Sequence, residues 1–146
     1  MTINKIKLSL PAKSINEALA RNVIASFCIP LNPTLEQLSD VKTAVSEAVT
    51  NSIVHAYEDE EGIIEIEANL YESGVLSVEI RDFGVGIDDV DKATQPFYTT
   101  KLDGERSGMG FTVMQTFMDI VNVTSQKGRG TTVHMSKNIM SGVKDA

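Results

Sequence analysis

Cysteine occurs once in this chain of 146 residues, histidine twice and tryptophan not at all. With Cys28 alone, no internal disulfide can form, and the cytoplasm is the expected compartment. Cys28 sits in an apolar helical run and reads as a small buried hydrophobe, not a reactive thiol. With only His55 and His134, no metal-binding cluster is evident. No apolar run approaches the ~20 residues needed to cross a bilayer, so no membrane association is expected. The amino terminus lacks the layout of a signal peptide. Basic charge is also short: 13 Lys and Arg stand against 20 Asp and Glu, a net charge of -7. Such a surface repels phosphate backbones, so nucleic acid is not expected as a direct partner. Repeats and low-complexity segments are absent.

What remains is the composition of one soluble globular domain, 42% hydrophobic and 23% charged, spanning 1–146. Lys5 to Leu10 alternates in character and predicts a strand. Ser14-Ile15-Asn16-Glu17 predicts a capping box and a helix to about Phe27, and Thr34-Leu35-Glu36-Gln37 a second box with a helix to about Tyr57. Leu38, Val41, Val45, Ala48, Ser52 and Ala56 form the apolar stripe of that second helix. Strands are expected near Gly62–Tyr71 and Val75–Asp82, with an acidic turn before them. Asp88 to Gly104 reads as a long polar lid. A helix over Phe111–Ile120 and a hairpin of Val121–Ser125 and Gly130–Ser136 follow, then a frayed tail after Lys137. This order implies an α+β, two-layer sandwich: a mixed sheet with helices on one face.

Three stretches carry chemistry. In the strand ending at Asp82, alternation places the carboxylate with Leu76, Val78 and Ile80, facing the helices. A carboxylate pointed inward needs a partner, which suggests a ligand such as an amine. Gly84 and Gly86 follow it, and Gly86 is expected to let a flat base lie near the backbone. On the long helix Glu47 and Asn51 are four apart and share a face with His55. That pair suits a hard cation such as Mg2+, or a general base, or a plain solvated face. Small Ala44, Ala48 and Thr50 are expected to leave room for a ligand there. Arg106-Ser107-Gly108-Met109-Gly110-Phe111 opens the later helix. Backbone amides at such a start form an anion site, with Lys101 and Arg106 as candidate phosphate partners. It is neither a Walker loop nor a Rossmann fingerprint.

Together these stretches resemble the GHKL ATPase/kinase superfamily. Glu47-Ala48-Val49-Thr50-Asn51 is similar to its N box, Asp82-Phe83-Gly84-Val85-Gly86 to its G1 box and Arg106 to Phe111 to its G2 box. Nearly the whole chain is covered, as in stand-alone anti-sigma serine kinases of Gram-positive bacteria, and the sporulation branch is the most similar. The resemblance implies a catalytic base at Glu47, Mg2+ on Asn51 and an adenine amine on Asp82. It implies phosphate contacts from Thr100, Ser107, Gly108, Met109 and Gly110 under the lid. Thr131 would support the adenine side, and Arg21 would face a partner or remain a solvated helix charge. The implied cofactors are ATP and Mg2+. The implied partners are a sigma factor and an anti-anti-sigma protein phosphorylated on serine, with the chain a homodimer. A stress-response kinase of the same family, an ATP-shaped binding module and a histidine-kinase catalytic half remain alternatives. No phospho-accepting helix pair is present for the last. Ala56, where a glycine often follows the histidine, is a small departure.

Overall fold

The computed structural model describes residues 1–56, 61–86 and 110–139, the side chains of 55 and 56 excepted. Five strands form one sheet: β1 (Thr2–Pro11), β2 (Ile63–Tyr71), β3 (Val75–Asp82), β4 (Ile120–Gln126) and β5 (Gly130–Asn138). Three helices are described: α1 (Ile15–Phe27), α2 (Leu35–Asn51) and α3 (Gly110–Phe117). None of them is long and apolar enough to cross a membrane.

The architecture is α+β, but the sheet is antiparallel throughout, where a mixed sheet was expected. Its order is β1-β2-β3-β5-β4, and each neighbouring pair is antiparallel. The reason lies in the connections. Two successive helices between β1 and β2 return the chain to the end it left, so β2 runs the opposite way. β3 and β4 do run parallel, but β5 turns back and inserts between them. No parallel pair among the described strands is therefore hydrogen-bonded.

Strand alternation sets the two faces. Ile64, Ile66, Ala68 and Leu70 on β2 and Leu76, Val78 and Ile80 on β3 are at most 1% exposed. They form one core with Ala20, Ile24, Val41, Val45, Met114 and Met135. The opposite face is polar and carries exposed ion pairs: Lys5 with Glu67 at 2.9 Å, and Arg81 with Glu79 at 3.2 Å. Pairs this exposed contribute little stability.

α2 starts as expected. Thr34 Oγ1 accepts from the Gln37 amide, and Gln37 Oε1 accepts from the Thr34 amide. The expected box at Ser14 does not form. Ser14 already has helical φ and ψ, so its hydroxyl makes no cap. Glu17 turns instead to Arg21 at 2.7 Å, a charge-assisted bond stronger than one to a neutral amide. α2 also stops at Asn51, and Ser52–Ala56 form a wider π turn. α3 ends at Phe117, before the expected Ile120, because β-branched Ile120, Val121 and Val123 join β4. The tail is ordered further than expected. β5 runs to Asn138, and Ile139 is 0% exposed, held by its amide on Gly74 O at 2.9 Å.

Candidate functional site

Asp82 closes β3 on the core side, as its parity requires, and is 5% exposed. Its Oδ1 accepts from the Gly84 and Thr131 amides, each at 3.1 Å. Its Oδ2 accepts from Ser52 Oγ at 3.1 Å. All three donors are neutral, and among the described residues no ion pair involves Asp82. Burial pushes its carboxyl pKa up from the ordinary 3.8, and the three hydrogen bonds only oppose this. The site therefore holds a poorly compensated carboxylate. Each oxygen of a carboxylate accepts about two bonds. An additional donor from a ligand amine fits that need.

Sequence reasoning placed Ser52 on the apolar stripe of α2, and it is a site residue. The stripe position was right, since Ser52 is 5% exposed. The available signal was the hydroxyl itself, because a buried polar group needs a partner. The π turn that begins there puts the hydroxyl against Asp82.

Thr131 is 8% exposed and braces the same carboxylate through its amide. Its hydroxyl shares a bond with Ser125 Oγ at 2.8 Å. Two glycines around it are required by contacts of backbone with backbone. Gly86 has φ +77, and a Cβ there would lie 2.3 Å from Gln126 O. Gly130 has φ +113, and a Cβ would lie 2.1 Å from Asp82 O. Both contacts are backbone against backbone, so the Asp82–Gly86 segment is pressed onto the β4–β5 hairpin. The Gly128 amide adds a bond to Val85 O at 2.7 Å. Gly130→Ala is expected to cost more than about 1 kcal/mol, because both the space and the φ forbid a side chain. Urea unfolding of the variant, showing a lower midpoint at unchanged slope, checks this.

Glu47 and Asn51 project from the last turns of α2 and meet the first residue of α3. A Cβ on Gly110 would lie 3.0 Å from Asn51 Nδ2, 3.2 Å from Asn51 Oδ1 and 3.3 Å from Glu47 Oε2. The structure thus brings together the N-box pair and the start of the G2 helix. Nearby, Thr112 Oγ1 is buried without a hydrogen-bond partner. Ala44 and Ala48 do not open space for a ligand, contrary to expectation. They are 0% and 1% exposed and belong to the core stripe. Thr50 Oγ1 donates back to Ser46 O at 2.7 Å.

Arg21 lies on α1 with its side chain 40% exposed. Its partner Glu17 also accepts from Ser46 Oγ, which ties α1 to α2 beside Glu47. Cys28 is buried, and burial raises its thiol pKa, consistent with an unreactive side chain. Thr100, Lys101, Arg106, Ser107, Gly108 and Met109 lie outside the described residues, as do the lid and the side chain of His55.

The chemistry of the donors fits a magnesium nucleotide. Glu47 and Asn51 offer oxygens, and among the described residues no group of three or more His, Cys, Asp or Glu forms a protein-only metal site. Mg2+ is usually held by one or two protein oxygens together with phosphates and water.

A two-layer sandwich in which a strand-end aspartate bonds Ser52, next in sequence to a helix-borne Glu/Asn pair, defines an ATP-binding domain of the histidine-kinase type. The model of the histidine kinase-like ATPase domain family matches residues 10–137. An anti-sigma F factor of Caldanaerobacter subterraneus is 54% identical over 136 residues, covering 93% of this chain and 94% of its own length. Another anti-sigma F factor, from Clostridium botulinum, is 55% identical over 141 residues, covering 94% of this chain and 98% of its own. The chain belongs to the histidine kinase-like ATPase family and, within it, to the anti-sigma F factors.

Solved structures agree on the fold. The RsbU and RsbW domains of a Mycobacterium tuberculosis protein give a TM-score of 0.67 at 16% identity, covering 93% of this chain and 32% of that one. A blue-light activated histidine kinase from Erythrobacter litoralis gives 0.61 at 21% identity, covering 83% of this chain and 41% of that one. Family membership makes the chain an ATP-binding domain of the kinase class.

Proposed function

We propose that this chain is a protein-serine kinase using ATP and Mg2+, and that it also holds a sporulation sigma factor inactive in the cytoplasm. Its phosphoryl acceptor is a serine on an anti-anti-sigma protein, and the working unit is a homodimer. One observation carries the reading. The last turns of α2 and the π turn that follows reach both other motifs, through Ser52 to Asp82 and through Asn51 and Glu47 to Gly110. This arrangement holds a purine at one end and a polyphosphate at the other.

Asp82 accepts from the adenine amine, with Ser52 and the Gly84 and Thr131 amides fixing its orientation. Glu47 takes the proton from the attacking serine hydroxyl as its oxygen bonds to the terminal phosphorus. The bond from that phosphorus to the β,γ-bridging oxygen breaks, and ADP leaves. Asn51 Oδ1 is the described oxygen suited to hold Mg2+, which offsets triphosphate charge when bound. Thr100, Lys101, Arg106, Ser107, Gly108 and Met109 complete the phosphate contacts in this reading. Arg21 lies on the α1 face that meets the partner proteins.

The test is incubation of the purified chain with Mg2+ and γ-labelled ATP in the presence of a candidate anti-anti-sigma protein. Label on a serine of that protein is expected, together with capture of a sigma factor from the native extract. A partner that binds without ever gaining label would reduce the chain to a binding module.

A further inference from the structure

We propose that Lys137 is a positioning residue for the nucleotide site, acting through α3. The inference rests on the roles given above to Glu47 and Asn51. Lys137 lies near the end of β5 with its side chain 14% exposed. Its Nζ donates to Phe117 O at 2.7 Å and lies 3.6 Å from Asp40 Oδ2 on α2. Phe117 is the last residue of α3, where carbonyls lack partners within the helix. A cation at that end also meets the negative pole of the helix dipole.

The spacing gives this contact its meaning. Asp40 and Glu47 are seven residues apart on α2, so they share a face two turns apart, roughly 10.5 Å. Gly110 and Phe117 are also seven apart, spanning the same length of α3. α3 runs antiparallel to α2, with Gly110 beside Glu47 and Asn51 and Phe117 joined through Lys137 to Asp40. Both ends of α3 are therefore registered against one face of α2.

The β5 end that carries Lys137 is itself anchored. Gln37 Nε2 donates to Ile139 O at 3.0 Å, and the Asn138 amide donates to Asp119 Oδ2 at 2.6 Å. At the other end, Gly110 lies close to the pair, since a Cβ there would be 3.0 Å from Asn51 Nδ2. A small axial slide of α3 changes how Gly110 meets Asn51 and Glu47. It leaves the Asp82 cup, built from β3, β5 and Ser52, in place.

The experiment compares ATP with adenosine, which lacks the phosphates. Binding of each to the full chain, with Mg2+, is measured well below the melting point. Lys137→Met keeps the apolar stem and removes the ammonium. It should weaken ATP about 10-fold, and lower kcat by a similar factor, because small misplacements at a reacting centre are costly. Adenosine affinity should not change. Lys137→Arg, which restores donors for both partners, should recover most of the ATP affinity. If Lys137→Met does not fold, Asp40→Asn, which loosens the anchor and leaves the bond to Phe117 O, should show a smaller loss of the same kind.

Equal losses for adenosine and ATP would reduce Lys137 to a general stabiliser and overturn the proposal. Unchanged ATP affinity and kcat in the folded Met variant, or in Asp40→Asn where the Met variant does not fold, would overturn it as well. A parent chain that binds no ATP would instead refute the functional reading beneath it.

Discussion

Glu47→Ala is expected to bind ATP as the parent does and to transfer phosphate at least ~10²-fold more slowly, the usual scale for loss of a general base. The separation of effects follows from position. Glu47 stands beside Asn51 and Gly110, the end proposed above for the polyphosphate. It contributes nothing to the Asp82 cup, whose donors are Ser52, Gly84 and Thr131. Glu47→Gln is the sharper control, because it keeps the shape and one acceptor oxygen while removing the charge and the basicity. Single-turnover assays at saturating ATP measure the chemical step. Parent-like turnover in both variants would remove Glu47 from the mechanism. A parallel loss of ATP affinity would mean that it serves binding instead.

Asp82→Asn is expected to separate stability from function. The carboxamide oxygen can accept from the Gly84 and Thr131 amides, and its NH2 can donate to Ser52 Oγ. Every internal hydrogen bond thus survives, and the cost of burying a charge disappears. The adenine amine, however, then faces a donor. A bond to a charged acceptor contributes about 1.5–3 kcal/mol, so ATP affinity should fall roughly 10- to 150-fold. The variant should melt no lower than the parent at neutral pH.

The pH dependence has a definite sign. Burial raises the Asp82 pKa, so the folded chain holds that proton more firmly than the unfolded chain. Stability from this group is full below the ordinary 3.8 and is lost as pH rises through the raised value. The carboxamide does not titrate. The stability difference in favour of the variant should therefore open as pH rises from below 3.8 and then level off. Urea titrations at a series of pH values measure it. A difference that shrank with rising pH would mean the carboxylate is stabilised by charge, contrary to its neutral surroundings.

The sequence was most legible where one period decided the outcome. Alternation through Leu76, Val78 and Ile80 was enough to turn Asp82 inward, and β3 has the expected bounds. The capping box at Thr34 formed because its neighbours offered Gln37 nothing stronger than the helix start and Ile139 O. At Ser14 the same local signal failed, because Glu17 had Arg21 and Ser46 within reach. That competition comes from a second helix and is invisible in a four-residue window.

The site was half legible for a similar reason. Glu47, Asn51 and Asp82 stood out by spacing and parity. Ser52 did not, because a stripe of apolar positions gives no sign that one member turns to a carboxylate 30 positions away. Gly86 stood out as a glycine, but the contact of its backbone with Gln126, and that of Gly130 with Asp82, joins distant segments and leaves no local mark. Antiparallel pairing throughout also escaped, because the insertion of β5 between β3 and β4 leaves no local mark.

The most direct measurement is the affinity of parent and Asp82→Asn for ATP and for inosine triphosphate, which carries a carbonyl where adenine has its amine. The parent should prefer ATP by at least about 10-fold, and the variant should lose or reverse that preference, because a site built around one donor rejects an acceptor. Equal affinities in the parent, or the same preference in both proteins, would contradict the assignment of Asp82 as the group that reads the base.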